Sequence, residues 1–384
     1  MKILFLTNGY PSKINPRRIV FLQRLVNELI DQGHQCVVIS PVPVPKERNY
    51  SFDVELQKTK QNNEIKVFFP HYFCFYLTAR LHFDPLKEFS VSNCLKSIKK
   101  VIKENNIQFD VVYSHFLGVS AECAVHIAEE YNKPCFAAAG ESVFSFFDAP
   151  DGYRVYKYLN MLNGIIAVST ENKKLLLERG ILSDERITVL PNGIDESFFF
   201  PRNKKESRQK MNFDQDDFII AFVGFLIERK GPYRLEKASS TLPVKVAYAG
   251  SGTQIPKAPN TIMCQPVTPD LMPFFLSSAD LFCLPTLNEG CCNAIAEALA
   301  CGLPVLSSNL PFNDDLLDDS CSIRFDPNSV EEIRKCIEVI MNDESKRRSM
   351  SKAAAEKGKS LSLARRAEKI ANWIQQQCAE PSFR

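Results

Sequence analysis

Residues 284–308 read LPTLNEGCCNAIAEALACGLPVLSS, and the order of local signals in this stretch decides the fold. It opens at the end of a short apolar run, DLFCLP, bounded by proline as a buried strand is. Residues 294–300 are strong helix formers, and Gly302 and then Pro304 supply the usual helix stop. PVLSS follows as a second apolar run. Strand, loop, helix, strand is a βαβ unit with parallel strands. Pro285 and Gly290 leave Glu289 in the loop, while Glu297 rides on the helix.

The alternation continues outward. FIIAFVGF, VKVAYAG, TIMCQ and the helical TPDLMPFFLSSA precede this stretch, and CSIRFD follows it. The N-terminal half repeats the rhythm: KILFLT, a helical pattern over 21–32 closed by Gly33, QCVVISP, EIKVFF, FDVVYSH with VSAECAVHIAEEY, KPCFAAA, NGIIAVS with TENKKLLLERG, and ERITVLP. Between the halves, Asn192-Gly193 reads as a turn and the polar stretch 201–217 as a linker without a strand. Residues 329–377 are helical in period and must bury Ile370, Trp373 and Ile374. A chain of 384 residues and 43.5 kDa exceeds what one core usually serves. The expected organisation is an N-terminal Rossmann-like domain over 1–195 and a C-terminal one over 196–362, with the helix 363–384 packing back on the first. The fold class is α/β, two parallel sheets facing each other across a deep cleft. Ligands of such sheets bind outside the carboxyl ends of the strands.

Several functions are excluded. Forty-seven Lys+Arg against forty-five Asp+Glu leave a net charge of +2, too little for a nucleic-acid partner. The opening MKILFLTNGYPS lacks the features of a secretory signal and no apolar run has membrane-span length, so a cytoplasmic chain is expected. The thirteen cysteines sit largely in apolar runs and show no C-x-x-C spacing, and the five histidines show no H-x-x-x-H. They read as buried thiols, with no metal site. No P-loop occurs, Phe144 spoils a nucleophile elbow at Gly140-Glu141-Ser142, and the loop after KILFLT has one glycine, which argues against a dinucleotide-dependent oxidoreductase.

The chemistry concentrates on Glu289 and Glu297. A helix beginning near Cys291 or Cys292 would present free N–H groups and a positive dipole end between the two carboxylates, which suits a phosphate. At ~1.5 Å per helical residue their spacing gives roughly 12 Å, comparable with the span from ribose to sugar in a nucleotide-sugar. Glu289-x7-Glu297, followed by Ala298, Ala300, Cys301-Gly302 and Pro304-Val305, resembles the E-x7-E signature of the retaining glycosyltransferases of family 4, whose architecture is GT-B. Leu190-Pro191-Asn192-Gly193-Ile194-Asp195 with Phe200-Pro201 resembles the segment leading to that family's linker, and Val223-Gly224 with Lys230-Gly231 its G-R…K-G loop. Tyr10-Pro11-Ser12, Pro16, Phe21 and Gly33-His34 resemble its opening pattern.

The resemblance implies an enzyme that moves a hexose from a UDP- or GDP-sugar to a glycan or lipid-linked glycan acceptor with retention, without metal or cofactor. Glu297 would hold the ribose, and Glu289 the transferred sugar with backbone N–H groups of Gly290, Cys291, Cys292 and Asn293. Lys230 with Arg229, beside Gly224, would neutralise the diphosphate, and His115 would face the sugar from the other domain. Tyr10, Arg17, Arg18 and Glu141 fall on the acceptor or membrane side. The chain departs from the pattern at Phe225, where the family has arginine, at Tyr113, at Ile19, where glycine is frequent, and at Cys291-Cys292. A sugar-nucleotide epimerase or a non-catalytic binding protein on the same architecture is the alternative. Lys96, Lys99, Lys100 and Lys103 recur at helical spacing after the aromatic stretch 68–83, which resembles a surface for anionic lipid on the inner face of the plasma membrane.

Overall fold

The computed structural model describes residues 1–16, 18–44, 54–74, 84–142, 144, 147 and 152–379. The chain divides into two compact units, Met1–Leu190 with Ala364–Arg384, and Pro191–Leu363. The first break falls after Leu190 rather than after Asp195 because Ile194 belongs to the second core: its N–H donates to Leu361 O at 2.7 Å and its carbonyl accepts from Leu363 N at 2.9 Å.

The first unit contains β1 (Lys2–Thr7), β2 (Gln35–Ile39), β3 (Val42–Val44), β4 (Val54–Lys58), β5 (Glu64–Phe68), β6 (His71–Phe73), β7 (Val111–His115), β8 (Cys135–Ala139), β9 (Gly164–Ala167) and β10 (Ile187–Val189). Eight of these form one sheet in the order β10-β9-β8-β7-β1-β2-β5-β4, and β3 pairs with β6. All pairings in the large sheet are parallel except β4 on β5, which is antiparallel. β7, β8 and β9 are buried along their whole length, as strands covered on both faces must be. The helix Leu363–Ala379 returns to this unit, burying Ile370 and Ile374 and setting Trp373 edge-on to Phe136 at 5.6 Å. Gly164 makes the notch for that indole, since a Cβ there would lie 2.4 Å from Trp373 Cη2.

The second unit contains β11 (Ile219–Val223), β12 (Lys245–Ala249), β13 (Thr261–Gln265), β14 (Leu281–Leu284), β15 (Val305–Ser308) and β16 (Ser322–Phe325), all parallel in the order β13-β12-β11-β14-β15-β16. This is the doubly wound order, whose direction reverses between β11 and β14; in the first unit the reversal falls between β1 and β7.

The stretch expected to be a linker is folded. Lys204–Met211 is a helix, capped by the Asn203 side chain accepting from Glu206 N and closed by Asn212 in the left-handed region. Arg208 anchors it, buried, donating to Ser278 O at 3.0 Å and to Asp280 Oδ2 at 2.9 Å. Its polar composition hid one buried arginine that satisfies the carbonyls around it.

Candidate functional site

In the second unit the site is assembled on the carboxyl ends of β11, β12 and β14. Gly224, just after β11, has φ 153° and carries the Lys230 stem, and Gly250, just after β12, presses so close that a Cβ would fall 1.9 Å from Gly224 O. A short 3-10 turn, Glu228–Lys230, then closes on Gly231 at φ 75°, where a side chain would collide with Pro285 O. This folds the β11 loop against the loop after β14.

The contact between those loops is electrostatic. Lys230 Nζ lies 2.5 Å from Glu289 Oε1, with side chains 11% and 9% exposed, and Arg229 Nη1 lies 3.3 Å from the same oxygen. Thr286 donates its hydroxyl to that oxygen at 2.7 Å, while Arg229 also donates to Asn288 O. A carboxylate this buried is tolerable only when paired, and here two cations and a hydroxyl converge on one oxygen. The pairing also bears on Lys230: its neutralising role is exercised on Glu289 in this structure. Thr286 was not singled out from the sequence, because a lone threonine after a strand has no distinguishing pattern.

The helix that follows is Asn293–Ala300, with Cys292 at its N-cap and Glu297 half-buried on it. Residues 289–292 are loop, so the helical rise applies only from Asn293 and the 12 Å expectation for the Glu289–Glu297 span loses its geometric basis. Gly290 is buried beside Glu289, and the Cys292 thiol is pushed up to about 12 by burial and then by the Glu289 charge, which makes it inert. Asn192 braces this loop: its N–H lies 3.4 Å from Cys291 Sγ and its side-chain amide donates to Asn293 Oδ1 at 2.8 Å. The reading of Asn192-Gly193 as a mere turn is corrected accordingly. A cavity of about 320 Å³ opens on the other side of Lys230, at the ends of β11, β12 and β13, lined by Gly224, Phe225, Lys230, Gly250, Val267 and Met272. Phe225, in place of arginine, offers it an exposed aromatic face.

In the first unit, His115 closes β7 and is 2% exposed, with neither ring nitrogen hydrogen-bonded. Burial, and secondarily the Arg366 charge, lowers its pKa to about 3, so the ring is neutral. Phe21 and Phe116 pack on it at 5.3 and 4.6 Å. Glu141, just beyond β8, accepts from Leu117 N at 2.6 Å through Oε1. Its Oε2 is buried without a partner, and burial pushes the carboxyl up to about 7 against the opposing backbone N–H groups. Tyr10 is fully buried, with burial raising its hydroxyl, which puts it beneath the surface rather than on it. Arg18 donates to Asn8 O at 2.7 Å and lies across Gly9, while Arg17 lies outside the described residues. Ile19 takes φ 51°, ψ 45° at the N-cap of helix Val20–Asp31, so a β-branched residue holds a conformation that favours glycine.

On the helix Asp84–Glu104, Lys99 and Lys103 pair with Glu130 and Lys100 sits 3.9 Å from Glu104, while Lys96 is exposed. Phe73 and Phe89 nearby are each 48% exposed; residues 75–83 of the aromatic stretch lie outside the described residues. Among the described residues no helix is long and apolar enough to cross a membrane.

Two doubly wound α/β units, the second with a largely apolar cavity at the carboxyl ends of β11, β12 and β13 that Lys230 borders, make the GT-B architecture. Residues 20–198 match the family model described as Glycosyltransferase Family 4, and residues 203–357 that described as Glycosyl transferases group 1. Together the two models span most of the chain, which is a glycosyltransferase consistent with family 4. It is 27% identical over 356 residues to a Bacillus subtilis protein named as a teichuronic acid biosynthesis glycosyltransferase, TuaC, covering 88% of each. An Escherichia coli relative, 26% identical over 58% of this chain and 63% of its own, is named UDP-Gal:alpha-D-GlcNAc-diphosphoundecaprenol alpha-1,3-galactosyltransferase. The fold is shared with a sucrose-phosphate synthase from Thermosynechococcus elongatus at TM-score 0.79 and 14% identity, covering 98% of this chain and 99% of that one. It is shared also with Anabaena HepE in complex with UDP-glucose, at TM-score 0.73 and 15% identity, covering 98% and 100%.

Proposed function

We propose that this glycosyltransferase moves a hexose from a UDP- or GDP-sugar to a glycan or lipid-linked glycan acceptor, with retention of anomeric configuration and without metal, in surface polysaccharide or glycolipid synthesis. The observation that carries this reading is the Lys230–Glu289–Arg229 cluster at the rim of the second unit's pocket. A nucleoside diphosphate leaves only if its developing charge is stabilised, and fixed cations beside a helix N-terminus do that. On binding, the diphosphate draws Lys230 and Arg229 toward itself, and Glu289, relieved of its partners, turns to sugar hydroxyls. Glu297 holds the ribose, and the apolar pocket with Phe225 takes the base. The named activities of TuaC and of the galactosyltransferase acting on a diphosphoundecaprenol-linked sugar support the acceptor class.

Thermal shift with UDP, GDP, ADP and their sugars tests the donor side, since a ligand of the folded state alone raises its stability. One nucleotide should stabilise the protein, and Glu297→Ala should remove that shift. No shift with any of them overturns the reading. Once the donor is known, the anomeric proton coupling of the product decides between retention and inversion.

A lipid contact is a second proposal, supported by exposed Phe73 and Phe89 beside Lys96, Lys100 and Lys103. Vesicles rich in anionic lipid should co-sediment the protein at low salt, and failure to do so removes this surface.

A further inference from the structure

Three polar atoms at the carboxyl ends of the paired strands β7 and β8, both ring nitrogens of His115 and Glu141 Oε2, are buried without a hydrogen-bond partner among the described residues. Buried polar atoms are ordinarily satisfied, so a cluster of exceptions at the end of a parallel sheet calls for a partner supplied from outside. Glu141 is held for such a partner. Its Oε1 is fixed by Leu117 N–H, and the Asn172 side-chain amide, from helix Thr170–Glu178, bridges Ala139 O at 3.1 Å and Glu141 O at 3.2 Å.

We propose that Glu141 is a hydroxyl-recognising residue of the acceptor site, exchanging hydrogen bonds through Oε2 with a hydroxyl of a polyhydroxylated ligand. This rests on the reading of the chain as a sugar transferase and adds a named group on its first unit. The carboxyl suits the task because a neutral acid both donates and accepts, as a hydroxyl requires, and burial keeps it protonated up to about pH 7. The groups that meet its carboxyl are backbone N–H groups of Leu117, Gly140 and Glu141 itself; His115, which ends the neighbouring strand, is titratable but neutral.

The full chain and Glu141→Gln are compared in two measurements. The first is the thermal midpoint from pH 5 to 8. The folded state holds a proton there that the unfolded chain has released, so Glu141 makes stability fall as pH rises. The fall should be shallower in Glu141→Gln, and equal slopes overturn the proposal. The second is saturation-transfer NMR with methyl glucoside, galactoside, mannoside and N-acetylglucosaminide. At least one should receive saturation from the wild type, reduced about fivefold in the variant. Equal transfer in both proteins, or transfer to none in the wild type, also overturns it. If no nucleotide stabilises the chain, the donor reading fails separately, because neither measurement uses a nucleotide.

Discussion

The candidate clusters of the two units, around Glu289 and around Glu141, hold their buried polar groups in opposite ways. In the second unit, Lys230, Arg229 and Thr286 all converge on one oxygen of Glu289, so the buried carboxylate finds its counter-charge within the protein. In the first, His115 and Glu141 keep buried atoms without partners and avoid charge by shifting their protonation. A site for a dianionic ligand can be prepared as an internal ion pair, because the ligand's own charge competes for the cations. A site for neutral hydroxyls has no such charge to exchange, so it is prepared as unmet hydrogen bonds on uncharged groups.

The largest test of this contrast is Lys230→Ala. It leaves the buried Glu289 with only Arg229 and Thr286 as partners, and since a broken buried pair costs up to about 3 kcal/mol, the thermal midpoint should fall and the nucleotide response vanish. Lys230→Met combined with Glu289→Leu should regain most of the midpoint but none of the nucleotide response. Equal midpoints for wild type and Lys230→Ala would mean that the pair is not electrostatically coupled.

Gly164→Val asks whether the first unit depends on its returning helix. The added methyls overlap Trp373 and Arg186 O, and overpacking of this kind costs about 2 kcal/mol. Because Trp373 is the sole tryptophan, its emission should shift to the red; unchanged emission would refute the notch. Asn192→Ala removes one side-chain hydrogen bond from the loop at Cys291 and Asn293, worth about 1 kcal/mol, and should weaken nucleotide binding roughly fivefold by calorimetry. The smallest effect is expected at Ile19→Gly. Relief of left-handed strain, about 1 kcal/mol, offsets the packing lost, so the midpoint should move little, unlike an ordinary isoleucine-to-glycine change.

Much of the architecture could be read from apolar runs. KILFLT, FDVVYSH and DLFCLP are strands, and VSAECAVHIAEEY is the helix Val119–Tyr131. The short β3 and β6 escaped because three residues carry little periodicity, and the edge strand β4 because its alternation is inverted, with Val54 and Leu56 exposed and Glu55 and Gln57 half-buried. The helix Lys204–Met211 escaped because its anchor is an arginine rather than an apolar stripe, although the Asn203 cap was visible in retrospect. At the site, Glu289 and Glu297 stand out by their spacing around a helix start, and Lys230 only by its resemblance to the family's G-R…K-G loop. Their mutual pairing, the Thr286 hydroxyl and the Asn192 brace depend on how loops distant in sequence fold together, which no local pattern records.

The Trp373 notch has a consequence for biosynthesis. A ribosome delivers Gly164 long before it delivers the indole that fills it, so the strands of the first unit emerge with the notch beside Phe136 unfilled. Completion of the first unit therefore waits on translation of Leu363–Ala379, and a nascent chain stalled before Trp373 would leave Phe136 and the notch open to chaperones.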